Sequence, residues 1–216
     1  MKNSSNKKFL GTLSQKELLK LYAKHVNSSK VRFFKGFGLG VIPGERKGVK
    51  IKMLEGIKPS DPPMELYDCH SCGGVYNLGH GNPKIVQILK NALDSGLDIG
   101  DHLQLSEWRA LLGKKLAELM PPGITKTTFG VSGGEAVDTA IKFSRAYTKR
   151  KSCISAIGGY HGHTGFALAT GDPGFKENFL WNLPDFEQVP FGDSEALKKT
   201  ISDDVACVIL ETIPAS

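Results

Sequence analysis

No stretch of the sequence is apolar for long enough to span a membrane. The opening residues, MKNSSNKKFLGTLSQK, are basic but lack the apolar core of a signal peptide, so no membrane association and a cytoplasmic location are expected. There is no internal repeat and no low-complexity tract. Cysteine is scarce, with four residues. Cys153 and Cys207 lie in apolar runs and read as buried small hydrophobes. Cys69 and Cys72 form a C-x-x-C, a pattern shared by redox motifs and half zinc sites. A zinc site needs two further ligands, for which His161 and His163 are the only compact pair, and the spacing matches no recognised finger. Gly73, Gly74 and Val75 follow where a thioredoxin-like motif would open a helix. No metal site is expected. The net charge of +6 suits an acidic or phosphorylated ligand. The basic residues are nevertheless dispersed, apart from a solvated face at 45–58, and no basic stripe carries aromatic platforms, so nucleic acid is not an expected partner.

What the sequence does contain centres on VSGGEAVDTAIKFSR, residues 131–145. Residues 126–131 (KTTFGV) are β-branched and aromatic and predict a strand, and an amphipathic helix follows. Ser132 and Glu135 have the S-x-x-E spacing of a capping box. Ala136, Val137, Ala140, Ile141 and Ser144 form the expected packing stripe, with Asp138, Lys142 and Arg145 away from it. Gly133 and Gly134 fall in the first turn, where each costs about 1 kcal/mol against alanine. Two readings are open. Without Cβ atoms the free N–H groups of that turn can be approached by a phosphate, which the helix dipole favours. Alternatively the pair only loosens a strand-to-helix turn.

The remaining pattern is a helix opened by Ser14 (SQKE), a glycine-rich connection at 36–40 and weakly alternating strands at 47–54 and 64–68. GFGLG is no dinucleotide fingerprint, because Val41, Ile42 and Pro43 follow where a helix should begin. Asn82 and Pro83 open a helix on Ile85, Ile88, Leu89 and Leu93. A second runs from 104 to 120 on Leu105, Trp108, Leu112, Leu116 and Leu119. Strands are predicted at 152–157, 186–190 and 205–210, with a loop at 158–165 and a helix at 194–201. Alternating strands and helices after residue 125 imply a parallel sheet covered by helices. An apolar strand so near the last residue suggests that the chain stops inside its domain.

The ordered segments YDCHSCGGVYNLGHGNPKI, FGVSGGEAVDTAIKFSRAYTKRK, GGYHGHTG and VILET resemble the class III (subgroup II) aminotransferases, pyridoxal-phosphate enzymes of fold type I. The resemblance implies an α/β fold: part of the fold-type I large domain, a mainly parallel sheet with helices on both faces, over 76–216, after an α+β segment at 1–75. It implies pyridoxal 5'-phosphate as cofactor, with its phosphate at Ser132, Gly133 and Gly134. The family often has Ser, Thr or Ala where Gly134 stands, so no hydroxyl is available at that position here. Tyr160 matches the aromatic lying on the cofactor ring, and His161 follows it near the cofactor. Glu211 matches a substrate-side glutamate, although Thr212 replaces the proline of the family's E-P pair. Asp68, His70 and His80 match structural positions.

In that family the lysine that anchors the cofactor, and the aspartate that meets its ring nitrogen, lie beyond the E-P strand. No lysine here stands in the family's lysine motif, so the chain carries no catalytic residue of its own and is expected to be inactive alone. The expected activity of the whole is transfer of an amino group between an amino acid or amine and a 2-oxo acid. The expected assembly is a homo-oligomer or a complex with a complementing C-terminal half. A mutase, racemase or decarboxylase on the same scaffold, or a non-catalytic phosphate-binding or docking module, remains open because these motifs bind cofactor without choosing the reaction.

Overall fold

A computed structural model describes residues 13–58, 60–96, 104–179 and 183–214. The chain divides into two compact units, Met1–Asp101 and His102–Ser216.

In the first unit, Ser14 caps α1 (Gln15–His25) with both bonds of the capping box formed. Asn27 caps a second helix that the sequence pattern did not predict, α2 (Ser28–Gly36). Its polar residues and short length hide its periodicity, and only Val31 is buried. The small sheet is antiparallel, in the order β1 (Pro43–Lys47), β2 (Lys50–Met53), β3 (Glu65–Tyr67). After β3 the chain makes a single turn, α3 (Ser71–Gly74), in which Ser71, Cys72, Gly73 and Gly74 all have positive φ. Left-handed backbone costs a non-glycine residue roughly 1–2 kcal/mol. Asp68 opposes that cost by accepting the N–H groups of His70 (3.0 Å) and Ser71 (2.8 Å) while its other oxygen meets His80 Nε2 at 2.7 Å. These bonds, that to His80 foremost, hold the Asp68 carboxyl below the usual aspartate range. Cys69 and Cys72 are both exposed free thiols. Asn82 then caps α4 (Pro83–Asp94), with Pro83 in its first turn.

The second unit opens with α5 (Glu107–Leu119), capped by Ser106. α6 (Gly133–Thr148) leads into a wholly parallel sheet of order β5 (Phe186–Val189), β4 (Ser152–Ala156), β6 (Val205–Ile209). Cys153, Ile154, Ser155 and Ala156 of the central strand are buried, as the apolar run predicts. Cys153 and Cys207 are register partners with Sγ atoms 3.4 Å apart, and burial, followed by Cys207 itself, pushes the Cys153 thiol up. α7 (Gly165–Thr170) packs against α6, β4 and β5, and α9 (Ser194–Thr200) against β5. A short helix α8 (Pro173–Lys176) follows α7. Neither α7 nor α8 was predicted, both being too short to show a period.

Three expectations need correcting. Residues 126–131 form no strand, because no strand among the described residues pairs with them. The packing face of α6 carries Asp138, Ile141 and Arg145, while Ala136 and Ala140 are exposed. Polar side chains do the packing there. Asp138 accepts the Ala167 N–H at 2.7 Å, and the Arg145 guanidinium stacks between Phe166 and Phe186, at 4.8 and 5.0 Å from their ring centres. Finally, Ile88, Leu89 and Leu93 of α4 and Trp108, Leu112 and Leu119 of α5 are exposed, so the apolar stripes that periodicity assigns to a core are only partly covered by the described residues. Among the described residues no helix is long and apolar enough to cross a membrane.

Candidate functional site

The site grows from the junction between α6 and the loop after β4. Ser132 is extended (φ −152°, ψ 162°) and its Oγ accepts the Glu135 N–H at 3.2 Å. The expected box is half formed: the Glu135 carboxylate reaches past Ser132 and accepts the Val131 N–H. That leaves the first two helical N–H groups, of Gly133 and Gly134, without a partner among the described residues. The two glycines differ in their surroundings. A Cβ built on Gly133 would meet nothing within 4 Å, whereas one on Gly134 would lie 2.6 Å from Thr164 Oγ1. Open approach is therefore a property of Gly133, and Gly134 is where the loop is pressed onto the helix. Gly162 completes that contact: with φ +124°, its Cβ would lie 2.8 Å from Gly134 Cα, too close for any side chain.

The loop carrying Tyr160, His161 and His163 is fixed at several points. Asp172 Oδ2 accepts the Gly158 N–H (3.2 Å), and the Asp172 N–H donates to the Gly159 carbonyl (3.0 Å). Gln188 Nε2 donates to the carbonyls of Ala156, Thr170 and Gly171. Glu211, just beyond β6, accepts the Tyr160 N–H at 3.0 Å through its carboxylate. This bond ties the strand end to the loop and is not legible in sequence, since its partners lie 51 residues apart. The rings of Tyr160, His163 and Phe175 meet edge to face, with centroids 5.2 to 5.8 Å apart, and Tyr160 is 40% exposed. Ring surface remains accessible for a flat ligand. His161 Nε2 is buried with no hydrogen-bond partner among the described residues, and burial lowers the tendency of this imidazole to protonate while Glu211 acts in the opposite sense.

Ser132, Gly133, Gly134, Tyr160, His161 and Glu211 thus belong to one neighbourhood within the second unit. Two free N–H groups at a 16-residue helix start, an accessible aromatic ring and an orphaned imidazole nitrogen fit a phosphorylated aromatic cofactor. No three His, Cys, Asp or Glu side chains among the described residues are grouped to hold a metal.

Comparison with known proteins identifies relatives of the chain. The family model for class-III aminotransferases matches residues 43–216. An uncharacterized aminotransferase of Archaeoglobus fulgidus is 50% identical over 208 residues, covering 96% of this chain and 47% of its own. Acetylornithine aminotransferase of Methanopyrus kandleri is 34% identical, covering 93% and 48%. The structure of taurine:2-oxoglutarate aminotransferase from Bifidobacterium kashiwanohense, in complex with PLP and glutamate, superposes with a TM-score of 0.76 at 23% identity, over 94% of this chain and 49% of that one. The chain spans about half the length of the curated relatives it matches. It belongs to the class-III aminotransferases, a family whose cofactor is pyridoxal phosphate.

Proposed function

We propose that this chain is the cofactor-phosphate-binding part of an aminotransferase that moves an amino group between an amino acid or amine and a 2-oxo acid. The observation that carries the reading is the open first turn of α6 at Gly133 beneath the loop of Tyr160 and His161. The Gly133 and Gly134 N–H groups hold the phosphate, aided by the helix dipole, and Ser132 fixes their direction through its cap. Tyr160 would offer its exposed ring face to the pyridine ring of the cofactor. His161 lies beside it in the same loop, and Glu211, which fixes Tyr160, would border the substrate. Bound pyridoxal phosphate supplies the electron sink for amino transfer.

The lysine and aspartate that the chemistry also needs come, in this reading, from protein outside these 216 residues. Three features support it. The chain matches about half of each relative. The apolar stripes of α4 and α5 are largely exposed among the described residues. Both edge strands of the parallel sheet, β5 and β6, have one unpaired side among the described residues. Energetics agree: two charge-assisted N–H contacts contribute roughly 3–6 kcal/mol. Association costs about 4–15 kcal/mol before any contact is made. Cofactor is thus held weakly until a covalent anchor is present.

The test is to mix the purified chain with pyridoxal phosphate, reduce with borohydride and take an intact mass. Absence of a stoichiometric adduct is expected. A single stoichiometric adduct on one lysine would show the chain to be self-sufficient and overturn the division of labour. Restoration of a single adduct, on the added polypeptide, by a second chain carrying the family's lysine motif would set this reading apart from a non-catalytic module.

A further inference from the structure

Thr164 stands where the first residue of α7 should be capped, with extended backbone (φ −90°, ψ 164°), yet its side chain makes no cap hydrogen bond. Asp138 of α6 takes over part of that task by accepting the Ala167 N–H at 2.7 Å. The Thr164 hydroxyl is released from its usual local role. Its Oγ1 lies 2.6 Å from the point a Cβ of Gly134 would occupy, with its methyl 3.2 Å from the same point. A hydroxyl-bearing residue at 134 would carry its oxygen on that same Cβ, so Thr164 places a hydroxyl in the immediate surroundings of that position. No hydrogen bond from this oxygen occurs among the described residues.

We propose that Thr164 is a phosphate-binding residue, its hydroxyl reaching in from the neighbouring loop to replace the side chain that Gly134 lacks. The proposal rests on the reading of the α6 N-terminus as the phosphate cradle. It also accords with glycine at 134, where a Cβ would lie 2.6 Å from that hydroxyl oxygen. The cradle then has three donors from two elements, the N–H groups of Gly133 and Gly134 and the Thr164 O–H. Each charge-assisted bond to phosphate is among the stronger hydrogen bonds available.

The experiment titrates pyridoxal phosphate, and separately pyridoxal, into the full 216-residue chain up to millimolar concentration. Binding is read from the change in cofactor absorbance and, for the phosphorylated form, from the ³¹P resonance. Thr164→Val should weaken pyridoxal phosphate binding about tenfold and leave pyridoxal unaffected. Thr164→Ser should bind as the parent does. Thr164→Ala, which relieves rather than adds crowding at Gly134, serves if the valine variant does not fold and should show the same loss. A parent chain that prefers pyridoxal phosphate to pyridoxal, with valine or alanine variants that keep the whole preference, overturns the role of Thr164 and leaves the cradle standing. A parent chain that does not distinguish the two ligands overturns the cradle, and this proposal with it.

Discussion

Gly133 faces open space while a Cβ on Gly134 would meet Thr164 Oγ1 at 2.6 Å, so alanine at these adjacent positions is expected to act in opposite directions. Gly133→Ala should raise stability by up to about 1 kcal/mol through helix propensity, and weaken phosphate binding by placing a methyl group in the approach path. Gly134→Ala should lower stability by about 1–3 kcal/mol through overpacking. Thermal melts of the two variants, paired with the phosphate titration, read both signs. The sequence shows that two glycines occupy the first turn and that this is unfavourable for a helix, but not that one serves a ligand and the other a neighbouring loop, because that loop is almost thirty residues away. His161 makes a further prediction at this scale. Burial lowers its proton affinity in the folded chain, so the unfolded chain binds the proton more readily. Stability is then full above the ordinary imidazole range and falls as pH drops through that range. Replacing His161 with Gln should flatten that part of the pH profile of the melting temperature. Glu211→Gln keeps an oxygen near the Tyr160 N–H but removes the charge, and should cost about 1 kcal/mol, seen as faster hydrogen exchange at Tyr160.

At the scale of elements, α6 shows where periodicity succeeds and where it misleads. Its start at the Ser132 cap and its helical character were legible, since caps and helical period are local properties. Its packing face was not, because the period of apolar residues was followed and the contacts are made by a carboxylate and a guanidinium. Asp138→Ala would leave the Ala167 N–H without an acceptor inside a buried segment and is expected to destabilise by about 1–2 kcal/mol, measured by denaturant unfolding. Arg145→Lys loses the planar stack between Phe166 and Phe186 and should cost about 1 kcal/mol although charge is kept. The strands β4 and β6 were legible because each is a largely apolar run flanked by turn residues, and the short β5 (FEQV) because it alternates apolar and polar residues between turns. Residues 126–131 carry the same signal and lack a partner among the described residues, which is the sense in which a strand is never a property of its own segment.

For the molecule as a whole, the exposed Trp108, Leu112, Leu119, Leu89 and Leu93 should make the isolated chain self-associate, visible as a concentration-dependent sedimentation coefficient. A complementing polypeptide is expected to suppress that association. The sheet order β5-β4-β6 also has a consequence in time. Its central strand is the first of the three to be made, and its two neighbours are added later, one on each side. At roughly 5–20 residues per second, the interval between the synthesis of β4 and of β6 lasts about 3–11 s. Until β5 is made β4 has neither neighbour, and until β6 is made one of its edges stays unpaired, although Cys153 and Ile154 are fully buried in the finished fold. The growing chain thus carries a bare sheet centre for seconds at every round of translation, a window in which a chaperone or a stray strand competes with β6 for the same edge.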